Sequence, residues 1–204
     1  GPAEKDAAAS TYYILSEARR IWPLLSALGQ LIKTPGRALR ALRLALRTRA
    51  PGLRALLYQL IYFLEASILA KQLRRQNVTH LHNHFADVSA NVAMITAELA
   101  DIPFSYTLHG PAELYEPQRW HLATKTARAA FVVCISHFAR SQAMYFSDPT
   151  HWHKLRIVHC GVVPELYDRP TPETEPGVHL VFVGRLTAIK GLRVLLDAFE
   201  QASE

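Results

Sequence analysis

The first third of the chain shows the hydrophobic and polar pattern of helices. Leu, Ala and Arg dominate residues 11–75, and helix-breaking residues fall at Pro23, at Pro35-Gly36 and at Pro51-Gly52. Proline and glycine at such intervals separate one helix from the next. We therefore predict several consecutive helices here and no strand.

From residue 78 the pattern changes to short apolar runs separated by helical segments. The runs are rich in β-branched and aromatic residues, and they cover 78–82, 104–108, 131–135 and 155–159. Strands that alternate with helices are typical of a parallel sheet with crossover helices. The fold class predicted for this part of the chain is therefore α/β.

Two features of the intervening helices can be predicted as well. Val88, Val92, Ile95 and Leu99 recur at helical spacing and share one face, which we expect to pack on the sheet. Ser136 directly follows the third run, where its hydroxyl is expected to cap the next helix.

The end of the chain repeats the strand and helix pattern after an interruption. Residues 164–177 are rich in Pro, Glu and Thr, as in a connector between domains. LVFV at 180–183 predicts a buried strand, Gly184 a tight turn, and a stripe of large apolar residues a packed helix; the stripe is Leu192, Leu195, Leu196 and Phe199. The predicted organisation is a domain at 1–163, a connector at 164–177 and the start of a second domain at 178–204.

Composition narrows the classes of protein. Half of the 204 residues are hydrophobic, which excludes a disordered chain, and the net charge of +6 favours anionic partners. The arginines are not interleaved with aromatic residues as in nucleic-acid-binding proteins, so no nucleic acid partner is expected. Cys134 and Cys160 have neither disulfide nor metal-site spacing, which favours a reducing, cytoplasmic compartment. The longest apolar stretch, 55–70, is shorter than the ~20 residues of a membrane span.

A candidate anion site lies in the loop of the closing stretch. Arg185 and Lys190 stand between the predicted strand and helix, where free backbone N–H groups and the helix dipole favour negative charge. The loop matches neither the G-x-G-x-x-G fingerprint nor the P-loop. A diphosphate would suit the two cations, although solvated loop cations are an alternative.

Histidines mark the ends of two predicted strands. His80, His82 and His84 alternate and so point to one side of the sheet, and His109 follows the next strand. Ligands of open α/β sheets bind outside the carboxyl ends of the strands, so His84 and His109 are expected to face one crevice.

Three interpretations of these histidines stay open. His82, His84 and His109, with Asp87, could hold the zinc of a hydrolase. His80 above all, and His82, could be ordinary buried residues bonded to the backbone. His109, with His84, could instead donate hydrogen bonds to a sugar or a phosphate.

A basic amphipathic helix is predicted at 37–49. Arg40, Arg43 and Arg47 occupy one sector and Leu39, Leu42 and Leu46 the adjoining one. Such a helix can lie on an anionic membrane surface. Alternatively, the leucines pack on the domain and the arginines are solvated.

Five stretches together resemble retaining GT-B nucleotide-sugar glycosyltransferases, the family called glycosyl transferases group 1 or family 4. They are HLHNHF ending at 85, YTLHGPAELYE at 106–116, ARAAFVVCISHFARSQ at 127–142, LRIVHCGV at 155–162 and HLVFVGRLTAIKGLRVLLDAF at 179–199. The wording is most similar to enzymes of exopolysaccharide assembly of the colanic acid type. The resemblance implies two Rossmann-like domains, an acceptor-binding domain lacking its first strand and a truncated nucleotide-sugar-binding domain.

The resemblance also implies roles for particular residues. Arg185 and Lys190 would hold the donor diphosphate, Gly184 would let the backbone approach it, and His109 would contact the transferring sugar. His84, Glu113 and Tyr115 would shape the acceptor side.

The implied reaction moves a sugar from a nucleotide-diphosphate sugar to a saccharide or lipid-linked acceptor without a metal or other cofactor. The enzyme would be cytoplasmic, or peripheral on the inner face of the plasma membrane, and we expect this stretch of chain alone to be inactive. A non-catalytic sugar- or nucleotide-binding module is the remaining alternative.

Overall fold

The computed structural model describes residues 2–110, 112–166, 168, 177 and 179–203. The chain divides into two compact units, Gly1–Gly161 and Val162–Glu204. Most of the predicted connector at 164–177 lies outside the described residues, apart from the helical turn Pro164–Leu166 and two single positions.

The predicted helical region is confirmed, with no strand among residues 11–75. The helices are α1 (Pro2–Ser10), α2 (Ile14–Ala18), α3 (Ile21–Lys33), α4 (Pro35–Arg47) and α5 (Leu53–Arg75). The breaks before α4 and α5 fall where the prolines predict them. The break at Pro23 is wrong, because Pro23 lies in the first turn of α3, where its missing N–H has no helical partner to lose.

The four predicted strands form one parallel sheet in the order β1-β2-β3-β4. They are β1 (Leu81–His84), β2 (Phe104–Leu108), β3 (Val132–Cys134) and β4 (Leu155–Ile157). The crossovers carry α6 (Val88–Ala100), then α7 (Ala112–Tyr115) with α8 (Leu122–Arg128), then α9 (His137–Tyr145). This mixed α/β architecture is consistent with a Rossmann-like fold, and Ser136 caps α9 as predicted, accepting from the Ala139 N–H at 3.1 Å.

Helix α6 packs differently from the prediction. Val92, Ile95 and Leu99 are buried, but they belong to a cluster formed with α4 and α5. The sheet is instead contacted by the other side of the helix, through Met94 and Ala97. The sequence pattern missed this because α6 is buried between two layers, so both of its faces are apolar.

Helix α4 lies against α6 through small residues. Ala41, Leu44 and Ala45 are buried, whereas Leu39 and Leu46 are exposed, so the prediction that the leucine sector packs on the domain is wrong at those two positions. Alanine allows two helix backbones to approach closely. At the rim, Arg40 Nε donates to Glu98 Oε1 of α6 at 2.6 Å, so this arginine is ion-paired and not simply solvated.

Helix α5 is long and apolar enough to cross a membrane, judged by length and composition alone. In the structure its second half packs on neighbouring helices and buries Phe63, Ala66 and Ala70. Its first half exposes Leu53, Leu57 and Ile61.

The second unit contains the predicted helix but not the predicted strand. Helix α10 spans Leu192–Ser203, and its apolar stripe lines a cavity of about 290 Å³ together with Leu180 and Phe182. Val181 and Val183 are 83% and 91% exposed, and 180–183 forms no strand. A strand requires a neighbour for its backbone hydrogen bonds, and the described part of this unit offers none.

The two-sided burial of α6 can be tested with Ile95→Ala. Ile95 is fully buried, so removing three carbons is expected to lower the free energy of unfolding by about 2–5 kcal/mol. Ile61→Ala, on the exposed side of α5, is the matched control, with an expected change within about 0.5 kcal/mol. Equal effects in denaturant titrations would contradict the packing described here.

Candidate functional site

Two imidazoles meet at the carboxyl ends of β1 and β2. His84 is the last residue of β1, and His109 directly follows β2. His84 Nδ1 and His109 Nε2 are 2.9 Å apart, a hydrogen bond in which one ring donates and the other accepts. The two histidines expected to face one crevice are therefore adjacent at the sheet edge, and His84 is exposed; the crevice itself stays a prediction.

The other two histidines are held by hydroxyl groups. His80 Nε2 lies 2.7 Å from Ser105 Oγ, while the His82 ring bridges Ser105 Oγ at 2.7 Å and Thr107 Oγ1 at 2.9 Å. The interpretation of His80 and His82 as buried residues bonded to the backbone is thus wrong in its partners. It is also wrong in the burial of His82, because β1 is an edge strand and this face of it is open.

These contacts make the first three histidines and His109 one connected array. The rings of His82 and His84 meet edge to face at 5.3 Å, and partial burial of the His82 ring among these neighbours, followed by the charges of His84 and His80, lowers the pKa of His82. Protonating several members at once is unfavourable because like charges repel. The neutral form of His82 is therefore favoured, and a neutral imidazole can both donate and accept hydrogen bonds.

The loop from β1 to α6 brings an aromatic ring onto His109. Phe85 adopts a left-handed conformation with φ of 72°, which is rare for a bulky residue, and its ring centroid lies 4.6 Å from that of His109. Gly110 also has positive φ, at 48°, and a Cβ there would lie 3.1 Å from Leu114 Cδ1. Both the backbone conformation and the nearby Leu114 side chain therefore disfavour a larger residue directly after His109.

Glu113 and Tyr115 occupy very different places. Glu113 is only 3% exposed, and its Oε1 accepts from the Ala86 N–H at 3.0 Å. Glu113 therefore contacts the loop between β1 and α6, and its expected part in shaping the acceptor side stays a prediction. Tyr115 is 76% exposed at the end of α7, and no hydrogen bond or ring contact between described residues joins it to His84 or His109.

Sequence reasoning missed Lys125 on α8. This lysine is fully buried, and its Nζ donates to Ala86 O at 2.5 Å and to Asp87 O at 2.8 Å. Burial lowers the pKa of Lys125 to about 7, against the opposing effect of the Asp87 and Glu113 carboxylates. The signal in the sequence was its helical spacing from Leu122 and Ala129, two buried positions on the same face.

The metal-site interpretation finds no cluster to support it. Within the described ranges, no group of three or more His, Cys, Asp or Glu side chains is arranged to hold a metal ion. Asp87, its proposed carboxylate, instead caps α6 by accepting from the Ser89 N–H at 2.8 Å.

In the second unit, Arg185 and Lys190 are exposed on one tightly turned loop. The Thr187 N–H donates to Arg185 O at 2.8 Å, and the Lys190 N–H donates to Thr187 O at 3.0 Å. A helical turn at Ala188–Lys190 and the left-handed Gly191, with φ of 67°, then lead into α10. Gly184 lies close to the Lys190 stem, since a Cβ on it would be 3.9 Å from Lys190 Cγ.

The histidine array predicts a specific titration. His82 is expected to titrate below the pKa of about 6.5 of a free imidazole. The unfolded chain therefore binds a proton at this residue before the folded chain does, and the free energy of unfolding falls as the pH drops below 6.5. His84→Gln removes the repulsion that a protonated His84 would exert and should raise the pKa of His82, but not to 6.5, because the partial burial of the His82 ring is the larger cause and remains. NMR titration of imidazole C–H signals measures this, with His151→Gln as the distant control; a wild-type His82 at or above 6.5 would contradict the array.

Comparison with known proteins yields one family. A family model described as Glycosyltransferase Family 4 matches residues 17–166, about three quarters of the chain. The match includes the whole sheet and both imidazoles at its edge, and it ends before the loop of Arg185 and Lys190. No curated protein matches the chain.

Proposed function

This chain belongs to glycosyltransferase family 4, and we propose that it functions in a retaining GT-B enzyme. The proposed enzyme transfers a sugar from a nucleotide-diphosphate sugar to a hydroxyl acceptor. The observation that carries the proposal is the hydrogen-bonded pair His84 and His109 at the carboxyl edge of a parallel sheet. Ligands of open α/β sheets bind at that edge. The ring nitrogens of imidazole can donate hydrogen bonds to sugar hydroxyls or accept hydrogen bonds from them.

His109 is the residue proposed to contact the transferring sugar. Its bond to His84 occupies Nε2, and the Phe85 ring packs on its face, so the orientation of the imidazole is fixed before a ligand arrives. Pre-oriented hydrogen-bond donors reduce the reorganisation needed in the transition state. No metal ion or other cofactor is part of the proposed reaction.

Arg185 and Lys190 are proposed to hold the donor diphosphate. Both are exposed cations on one loop at the N-terminal side of α10, and Gly184 leaves room for the backbone to approach a phosphate. Charge-assisted hydrogen bonds of this kind contribute about 1.5–3 kcal/mol each. Because negative charge grows on the diphosphate as it leaves, the two cations stabilise the transition state more than the bound donor.

The acceptor is proposed to be a saccharide, free or lipid-linked, in the assembly of an exopolysaccharide such as colanic acid or of another cell-envelope glycan. This acceptor class is supported by the sequence stretches that resemble enzymes of exopolysaccharide assembly. The proposed location is the cytoplasm, with a peripheral association to the inner face of the plasma membrane.

The diphosphate role can be tested with Arg185→Ala in the full-length enzyme. Turnover at saturating donor is expected to fall at least tenfold, because the lost interaction is strongest in the transition state. Arg193→Ala, an exposed arginine on the neighbouring helix, is the matched control and should leave turnover within twofold. An unchanged rate with only a higher donor KM would contradict the proposed role.

We propose that α3 is the membrane-facing element, beside the basic helix predicted at 37–49. Of the predicted basic sector, Arg40 is already ion-paired with Glu98 of α6, whereas Arg43 and Arg47 have no ion pair among the described residues. Helix α3 exposes an apolar stripe at helical spacing, formed by Ile21, Leu25, Leu28 and Ile32. Trp22 beside the stripe is 81% exposed, and exposed tryptophan is typical of membrane interfaces.

Flotation with vesicles that contain anionic lipid tests this association. Ile21→Glu with Ile32→Glu is expected to reduce the bound fraction at least fivefold, because carboxylates would enter both the apolar layer and an anionic surface. Phe138→Glu, an equally exposed apolar residue on α9, is the control and should float like the wild type. If the wild-type chain does not bind the vesicles at low salt, the proposed membrane association is wrong.

A further inference from the structure

The short loop between β1 and α6 is fixed by many hydrogen bonds. Residues 84–87 leave the sheet and enter the helix, and the backbone groups along them find partners from three other elements. The Phe85 N–H donates to Thr107 O of β2 at 3.0 Å, continuing the sheet ladder. Asn83 Nδ2 lies 2.9 Å from His84 O and 2.8 Å from Phe85 O.

The last part of the loop is fixed by two buried charged side chains. Glu113 of α7 accepts from the Ala86 N–H, and Lys125 of α8 donates to Ala86 O and to Asp87 O. Glu113 is only 3% exposed, and its second carboxylate oxygen, Oε2, has no hydrogen-bond partner in the described structure. Burying an ammonium and a carboxylate is unfavourable unless both are hydrogen-bonded, and here the backbone groups of the loop supply those hydrogen bonds, so the loop and the two side chains depend on each other.

The conformation held in this way is strained. Phe85 has a φ of 72° although it carries a bulky ring, and such a residue persists only where its surroundings enforce it. The strained conformation places the Phe85 ring on His109, with centroids 4.6 Å apart, and His84, the residue before it, is bonded to the same imidazole. Glu113 also follows His109 by four residues, so its bond to Ala86 joins the two strand ends directly.

We infer that Glu113 and Lys125 are positioning residues, which clamp the loop 84–87 so that His84 and Phe85 fix the orientation of the His109 imidazole. The inference rests on the proposed function for its catalytic meaning, but the clamp itself is a property of the folded chain. Neither residue touches the imidazole, so each acts on it only through the loop.

The test is to replace each clamp residue and to observe His109 by NMR in the full chain, with no substrate present. In Lys125→Met, we expect the amide hydrogen of Ala86 to exchange with solvent at least tenfold faster. We also expect the contacts between the Phe85 and His109 rings to weaken and the imidazole signals of His84 and His109 to shift. Glu113→Gln keeps the shape and an acceptor oxygen but removes the charge, so its expected change in exchange is smaller, about threefold or more.

Lys154→Met supplies the matched control. Lys154 Nζ donates to a backbone carbonyl, Ala127 O, at 2.6 Å in the same unit but away from the loop. A general loss of stability would appear in this variant too, whereas the His84 and His109 signals should stay at their wild-type positions. If Lys125→Met does not fold, Glu113→Gln provides the same measurements.

The outcomes separate the clamp from the proposed reaction. Unchanged Ala86 exchange and unchanged His109 signals in both clamp variants would overturn the inference, as would equal shifts in Lys154→Met. In the full-length transferase, Lys125→Met should lower kcat at least tenfold at saturating donor while the donor KM changes little. Shifted imidazole signals with no sugar transfer by the wild-type enzyme would support the clamp and refute the proposed function.

Discussion

The burial of α6 on both sides is the constraint on which the first unit depends. One face of this helix packs on the sheet through Met94 and Ala97, and the other packs on α4 and α5 through Val92, Ile95 and Leu99. A helix held between two layers cannot shift or rotate without opening one of them. Its N-terminus is therefore a fixed point, and the strand-end loop that leads into it is fixed at the same time.

The buried backbone N–H and carbonyl groups of this fixed loop need hydrogen-bond partners. The Asp87 carbonyl also accepts from the Asn91 N–H of α6 at 3.4 Å, but the Ala86 N–H and carbonyl lie before the helix cap, and the described structure shows no helical hydrogen bond to either of them. Lys125 and Glu113 fill this need from two other elements. The fold and the candidate site thus share the same buried charges, since the groups that complete the loop also determine where His84 and Phe85 lie.

The two units differ in how far their own contacts define them. In the first, parallel pairing, two apolar clusters and buried hydrogen bonds specify each other. In the second, Leu180, Phe182 and the apolar stripe of α10 line one cavity, while Val181 and Val183 face solvent. The loop of Arg185 and Lys190 nevertheless has defined turns, because short-range hydrogen bonds and a left-handed glycine suffice to form them.

Local patterns in the sequence determined the elements of this protein. The spacing of apolar residues and the positions of proline and glycine predicted the helices before residue 75, the four strands, the cap at Ser136 and the shared face of the histidines. Each of these features depends on neighbours within a few residues. Tertiary structure decided the rest: that α6 has no solvent face, that His80 and His82 bind hydroxyls of β2, that LVFV forms no strand, and that Lys125 and Glu113 meet at a loop some 40 and 30 residues away along the chain. Such contacts depend on which elements become neighbours in space, and the spacing of residues along one element does not contain that information.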